Sequence, residues 1–240
     1  MSHLYSSRGL TDVGRVRKSN EDAFLCDDSL GVWAVADGMG GHDAGEIASD
    51  MAVSKLHEAL RKSPGADVNA LRDIVGSINR AIYQYGLEHN LPNGLGTTLS
   101  AMVAYGARSL IVAHVGDSRL YRLRGSQLHQ LTTDHSWVQH QIDLGMLTEA
   151  EARKHPLRNV IMRSLGYDSE VYPDLVIIEC EPGDRYLMAS DGLSNKIPES
   201  ELPAMLERRA ETQQTLRQLI ETALERGGED NITAVIVDFA

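Results

Sequence analysis

The chain has 240 residues, of which 42% are hydrophobic, and a formal net charge of −11. That length supports one large domain or two small ones with a sizeable core. The acidity argues against nucleic acid as a partner, and no apolar run reaches the roughly 18 residues of a membrane helix, so the expectation is a soluble cytoplasmic protein with no membrane partner.

The N-terminal stretch lacks the apolar core of a signal peptide. Cys26 and Cys180 are far apart, with no CxxC pair. Thiolate zinc sites and dithiol redox chemistry are therefore disfavoured. Neither cysteine has an arginine six residues on, so a Cys-x5-Arg phosphate loop is absent.

In chain order, residues 4–11 read as a first strand. Ala23–Cys26 and Gly31–Ala36 flank the turn Asp27-Asp28-Ser29, a hairpin pattern. A helix is predicted over 44–62, with Ile47, Met51, Ala52, Leu56, Ala59 and Leu60 on one face. Pro64-Gly65 breaks it, and a second helix runs over 68–88. Four strands follow, over 97–105, 109–115, 120–124 and 127–131, joined by short connections as in an antiparallel meander. Residues 136–165 interrupt them as a flap, with a helix at Trp137–Leu144 and a capping box at Thr148–Glu151. Strands at 175–180 and 185–189, a third long helix over 201–225 and a last strand over 232–239 complete the chain. With no repeat or linker, the expectation is one domain over 1–240. It belongs to the α+β class: two packed antiparallel sheets with one-faced amphipathic helices outside.

The run VWAVADGMGG ends an apolar strand on Asp37 and then removes most side chains around it. That pattern fits a surface turn, and it also fits a cation site. It recurs: Asp117 and Asp191 follow apolar runs, and Asp230 precedes one. Each aspartate could cap its own turn. Gathered at one edge of a sandwich, the four would repel one another unless cations neutralised them. Oxygen-only ligands suit Mg²⁺ or Mn²⁺. A glycine at position 38 lets its own carbonyl serve as a ligand.

Arg17 stands four residues before the adjacent acids Glu21 and Asp22. Two neighbouring acids on a strand point to opposite faces, so both reach one site only where the strand ends or bends. A guanidinium near a hard-metal cluster suits a phosphate, although Arg15, Arg17 and Lys18 also read as a surface basic patch. Paired divalent ions about 4 Å apart activate a shared water and neutralise phosphoryl oxygens. The leaving alkoxide needs a proton, and His42 is the candidate donor. His114 reads as a core residue, and His135, beside Asp134, as structural.

These residues resemble a known family. Arg17-Lys-Ser-Asn-Glu21-Asp22, Asp37-Gly38-Met39-Gly40-Gly41-His42, Gly96-Thr97-Thr98, Val115-Gly-Asp117-Ser-Arg119, Ser190-Asp191-Gly192 and Asp230-Asn231 occur in the order seen in metal-dependent serine/threonine protein phosphatases of the PP2C (PPM) class, bacterial branch. The resemblance implies a four-layer α-β-β-α sandwich. It implies Mn²⁺ or Mg²⁺, two per chain, with a weaker third site. Asp37 would bridge the two metals, with the Gly38 carbonyl, Asp191 and Asp230 as further ligands. Glu21 and Asp22 would act largely through metal-bound waters, and Asp117 with Asp191 would hold the third ion. Asn231 would support the ligands, and Arg17 would bind substrate phosphate. The reaction would be attack on phosphoserine or phosphothreonine by a water or hydroxide bridging the two metals. The implied partners are phosphorylated proteins and a counterpart Ser/Thr kinase, with the enzyme a monomer. One departure matters: Met39 stands where eukaryotic relatives carry the suspected acid, so the proton comes from His42 or from a metal-bound water.

Other phosphate chemistries fit worse. There is no Gly-x4-Gly-Lys-Ser/Thr loop, and Gly38-x-Gly40 lacks a third glycine because position 43 is Asp. A catalytically inactive phosphoprotein-binding module on the same fold remains as the alternative, and a structural cation-binding protein would need neither Arg17 nor His42.

Overall fold

Strand β3 (Val32–Gly40) shows how the layers assemble. Val32, Ala34 and Ala36 face one apolar cluster, and Trp33 and Val35 face another. The alternation is that of a strand buried on both sides. The computed structural model describes residues 4–40, 44–91, 94–207 and 211–240. In it β3 belongs to a six-stranded sheet ordered β2 (Asp22–Asp27), β3, β5 (Leu99–Tyr105), β6 (Ser109–Val115), β9 (Asp174–Glu179), with β4 (Leu95–Thr97) also paired to β3. The second sheet has five strands, ordered β1 (Tyr5–Asp12), β11 (Ile232–Phe239), β10 (Arg185–Ala189), β7 (Arg119–Arg124), β8 (Gln127–Gln130). All these pairings are antiparallel.

Helices α1 (Ala44–Lys62) and α2 (Val68–Glu88) cover the outer face of the first sheet. Ala52, Leu56 and Leu60 are buried as their spacing predicts, but the stripe starts earlier, at Ala44 and Ala48. Alanines repeating every four residues let the helix approach the sheet closely. Asp67 caps α2, its carboxylate accepting the Ala70 N–H at 2.9 Å; such caps contribute about 1 kcal/mol. Between the sheets lie Trp33, Met102, Val112, Tyr186, Met188 and Val235. Tyr5 packs against Trp33 and Phe239 at ring-centroid distances of 4.8 and 5.3 Å. Fully burying side chains of this size stabilises by about 1.5–3 kcal/mol each.

The outer face of the second sheet carries α5 (Asp191–Ser194), α6 (Leu202–Leu206) and α7 (Thr212–Glu225). The last two replace the single helix expected over 201–225. Glu207 leaves helical geometry at ψ 135°. The segment from Glu207 to Gln214 offers only Ala210 as an apolar residue, so a continuous helix there would have no stripe to bury. The strand expected over 97–105 is also divided, at Thr98. There the side chain, not a backbone carbonyl, accepts the Asp37 N–H at 2.9 Å.

Residues 136–165 contain α3 (Trp137–Asp143) and α4 (Glu149–Ala152), and the Thr148–Glu151 capping box forms as expected. The bridge Ser136↔Ile161 closes this segment on itself, and Thr97↔Leu165 ties it to the rest. Among the described residues no helix is long and apolar enough to cross a membrane.

Candidate functional site

At one end of the sandwich β2 begins, β3 and β10 end, and β11 begins. The chain also passes there from β6 in one sheet to β7 in the other through residues 116–118. The layer between the sheets is apolar along most of its length and turns acidic at this end. Asp37 continues the inward register of Trp33 and Val35, and Asp22 continues that of Phe24 and Cys26. The two are directly opposed partners in the ladder. Like charges so placed destabilise a sheet, and here the arrangement is built in.

Arg17, Glu21, Asp37, Asp117, Asp191 and Asp230 line one cavity of about 500 Å³, together with Gly38. The carboxylates, distant in sequence, therefore share one centre. Asp22 and Asn231 lie buried behind the floor. His42 lies outside the described residues. Glu21 precedes β2 and lines the cavity, whereas Asp22, the first residue of the strand, is buried behind it. Among the described residues, no group of three Asp, Glu, His or Cys side chains is arranged to hold a metal ion by side chains alone. The expected ligands Asp37, Asp191 and Asp230 thus line one cavity without their carboxylates closing on a single metal-holding point.

The electrostatics call for cations. Burial pushes the Asp37 carboxyl well above the usual range, reinforced by Asp22, Asp191, Asp117 and Asp230. Burial and then Asp191 raise Asp117. Asp191 is pushed up to about 6 by burial and Asp230. Asp22 is pushed up to about 7, mainly by burial. The Ser190 hydroxyl donates to its Oδ2 at 2.8 Å, but Oδ1 is buried without a partner. A carboxylate cluster with an orphaned buried oxygen fits hard divalent cations bound through oxygen and water.

The surroundings fix these groups. Asn231 accepts the Glu21 N–H at 2.8 Å and donates to the Val13 and Ser19 carbonyls, each at 2.9 Å. One side-chain amide thus pins the 13–21 segment, including Arg17, against β11. The Glu21 carboxylate lies beside Gly45 in the first turn of α1, where a Cβ would come within 2.7 Å of Oε2. That position favours a negative charge. Gly38 has a further reason to be glycine: a Cβ there would lie 2.1 Å from the Gly45 carbonyl oxygen. Arg17 donates to Asp230 Oδ2 at 2.9 Å while about half exposed, at the mouth of the cavity.

Several supporting residues show no ligand chemistry in sequence and gain their roles from partners in the fold. Thr98 accepts the Asp37 N–H and shares a hydrogen bond with the Ser118 hydroxyl at 2.7 Å. Gly116 has φ +107°, and a Cβ would lie 2.5 Å from Thr98 Cγ2. His135 grips this glycine twice: its N–H donates to the Gly116 carbonyl at 2.8 Å, and its Nδ1 accepts the Gly116 N–H at 3.0 Å. His135 therefore positions the turn that carries Asp117. Its other ring nitrogen faces Asp174, not the neighbouring Asp134, which pairs with Arg119. His114 is buried, as its strand position predicts. Thr98, Gly116 and Ser190 each fall within a motif quoted for the family resemblance, and Ser190 also holds a place on the inward register one residue before Asp191.

Clustered carboxylates around one pocket, with a guanidinium at its mouth, suit a narrow chemistry: hard cations acting on an anionic ester. Fold and site together define a metal-dependent phosphatase. The family model of protein phosphatase 2C matches residues 14–236. The chain is 36% identical over 236 residues to the serine/threonine phosphatase Stp of Listeria monocytogenes, covering 95% of this chain and 93% of that protein. The crystal structure of the Mycobacterium tuberculosis serine/threonine phosphatase PstP/Ppp superposes with a TM-score of 0.91 at 39% identity, over 98% of each chain. A structure of the PstP catalytic domain in complex with two manganese ions gives a TM-score of 0.88 at 38% identity, over 98% of this chain and 97% of that one. The chain belongs to the protein phosphatase 2C family.

Proposed function

We propose that this metal-dependent protein phosphatase hydrolyses phosphoserine and phosphothreonine in protein substrates at the cavity between its sheets. One observation carries the reading: Arg17 and six acidic residues from separate stretches of the chain share one cavity. Asp37, Asp191, Asp230 and the Gly38 carbonyl are the residues that would hold two divalent cations, with Glu21 and Asp22 behind them and Asp117 available with Asp191 for a third. When bound, Mn²⁺ or Mg²⁺ supplies an acidified water and neutralises charge on the phosphoryl oxygens.

The chain's own residues bind and orient the ester. Arg17, held at the mouth by Asp230, offers its remaining N–H donors to phosphate oxygens. Asn231 keeps the Arg17–Glu21 segment in register with the carboxylates. The proton for the leaving alkoxide comes from His42 or from water. In the cell we place the enzyme in the cytoplasm, as a monomer opposing a Ser/Thr kinase.

The test is phosphate release from a phosphothreonine peptide with Mn²⁺, with Mg²⁺ and with EDTA. Turnover with either metal and none with EDTA is expected. Peptide binding without phosphate release would instead mark an inactive binding module, and equal release in EDTA would refute the metal mechanism. Arg17→Ala is expected to raise KM roughly tenfold with kcat changed less, since it removes charge-assisted hydrogen bonds to phosphate. Its effect on stability is small, because exposed ion pairs contribute about 0–1 kcal/mol. Unchanged KM in a folded variant removes Arg17 from phosphate binding.

A further inference from the structure

The cavity has a second wall that the metal chemistry leaves unassigned. Tyr167 is 70% exposed and Met162 57% exposed. Both line the same cavity as Asp37, together with Asp168. They lie at and beyond the C-terminal end of the flap expected over 136–165. Among the described residues, neither the Tyr167 side chain nor the Asp168 carboxylate has a hydrogen-bond, ion-pair or ring partner. Tyr167 and Met162 therefore present surface that a substrate entering the cavity would meet.

The loop that presents them is held from behind. Asn79, fully buried on α2, accepts the Gly166 N–H at 2.7 Å and donates to the Asp168 carbonyl at 3.0 Å. Gly166 has φ +84°, and a Cβ there would lie 2.3 Å from Ile82 Cγ2. Leu165 exchanges both backbone hydrogen bonds with Thr97. The positions on both sides of Tyr167 are thus fixed, and a preorganised contact loses little entropy on binding.

We propose that Tyr167 and Asp168 form a subsite for an arginine or lysine side chain flanking the phosphorylated residue of the substrate. The proposal rests on the phosphatase reading above. An exposed aromatic face attracts a cation, and an adjacent free carboxylate completes its neutralisation. Met162 offers apolar surface to the aliphatic stem. Arg17 is the one cationic residue among the described residues lining the cavity, and it is already paired with Asp230. No other side chain of that lining repels a basic residue, whereas an acidic one would meet Asp168. The net charge of −11 favours the approach of basic segments.

The experiment uses three phosphothreonine peptides that differ only in carrying Arg, Ala or Glu on both sides of the phosphothreonine, assayed with Mn²⁺. The native enzyme is expected to favour Arg over Ala by about tenfold in kcat/KM, mostly through KM, and to disfavour Glu. Asp168→Asn and Tyr167→Ala should each shrink the Arg/Ala ratio to about twofold. Asp168→Glu and Tyr167→Phe should retain most of it, which a merely structural role would not explain. Equal native turnover of the three peptides overturns the subsite and leaves the phosphatase reading standing. So does an Arg/Ala ratio that persists in Asp168→Asn and Tyr167→Ala. Failure to hydrolyse any of the peptides strikes the phosphatase reading, and the subsite falls with it.

Discussion

Asp37→Asn is expected to lower Mn²⁺-supported phosphothreonine hydrolysis by about a thousandfold, equivalent to about 4 kcal/mol of transition-state stabilisation. No other side chain continues the inward face of β3 into the cavity while directly opposing Asp22. The same substitution should act in the opposite sense on the metal-free fold. Burial and four neighbouring carboxylates disfavour the charged form of Asp37, and an amide removes that charge. At pH 8 the metal-free variant should therefore melt above the metal-free native protein, yet gain less from added Mn²⁺. Parallel activity and melting measurements check both halves. A variant that loses activity and is also destabilised without metal would show Asp37 to be a structural residue.

The second large effect concerns pH and metal together. The carboxyls of Asp22, Asp37, Asp117 and Asp191 are all raised when folded. Through these four groups the folded metal-free protein holds more protons than the unfolded chain, while His114 and His135, lowered by burial, act in the opposite sense and offset part of the change. For Asp191 and Asp22 that excess spans the ordinary value of 3.8 up to about 6 and about 7. Stability from these groups is fully present below that window and is lost as pH rises through it. Metal-free protein should melt lower at pH 8 than at pH 5. Mn²⁺ at a hundredfold excess over its Kd should add about 2.7 kcal/mol per site, and one site alone should raise Tm by roughly 5–10 °C at pH 8. At pH 5 protons compete for the same oxygens and the gain should shrink. A Mn²⁺ shift of equal size at both pH values would mean that the bound ion does not meet these carboxylates.

The sequence by itself determined most of the elements and the chemistry of the pocket. Apolar alternation marks β3, and the i, i+4 stripes mark α1 and α2, because those periods follow directly from backbone geometry. The carboxylates were legible because each sits near the start or stop of an apolar run, beside small residues, although β3 itself continues past Asp37 to Gly40. Tertiary structure alone decided that these strand ends share one end of the sandwich, since that depends on which strands pair and on the crossing between sheets at 116–118. It also decided the supporting cast. The hydrogen bonds of Thr98, His135 and Asn79 are not visible in sequence, because each acquires its role from a partner at least 19 positions away. The break between α6 and α7 escaped the helical pattern because stripes on either side imitate one helix when the polar residues between them are read as its exposed face. Periodicity reports which face of a segment is apolar; only packing fixes what that face, and the charges at its end, come to meet.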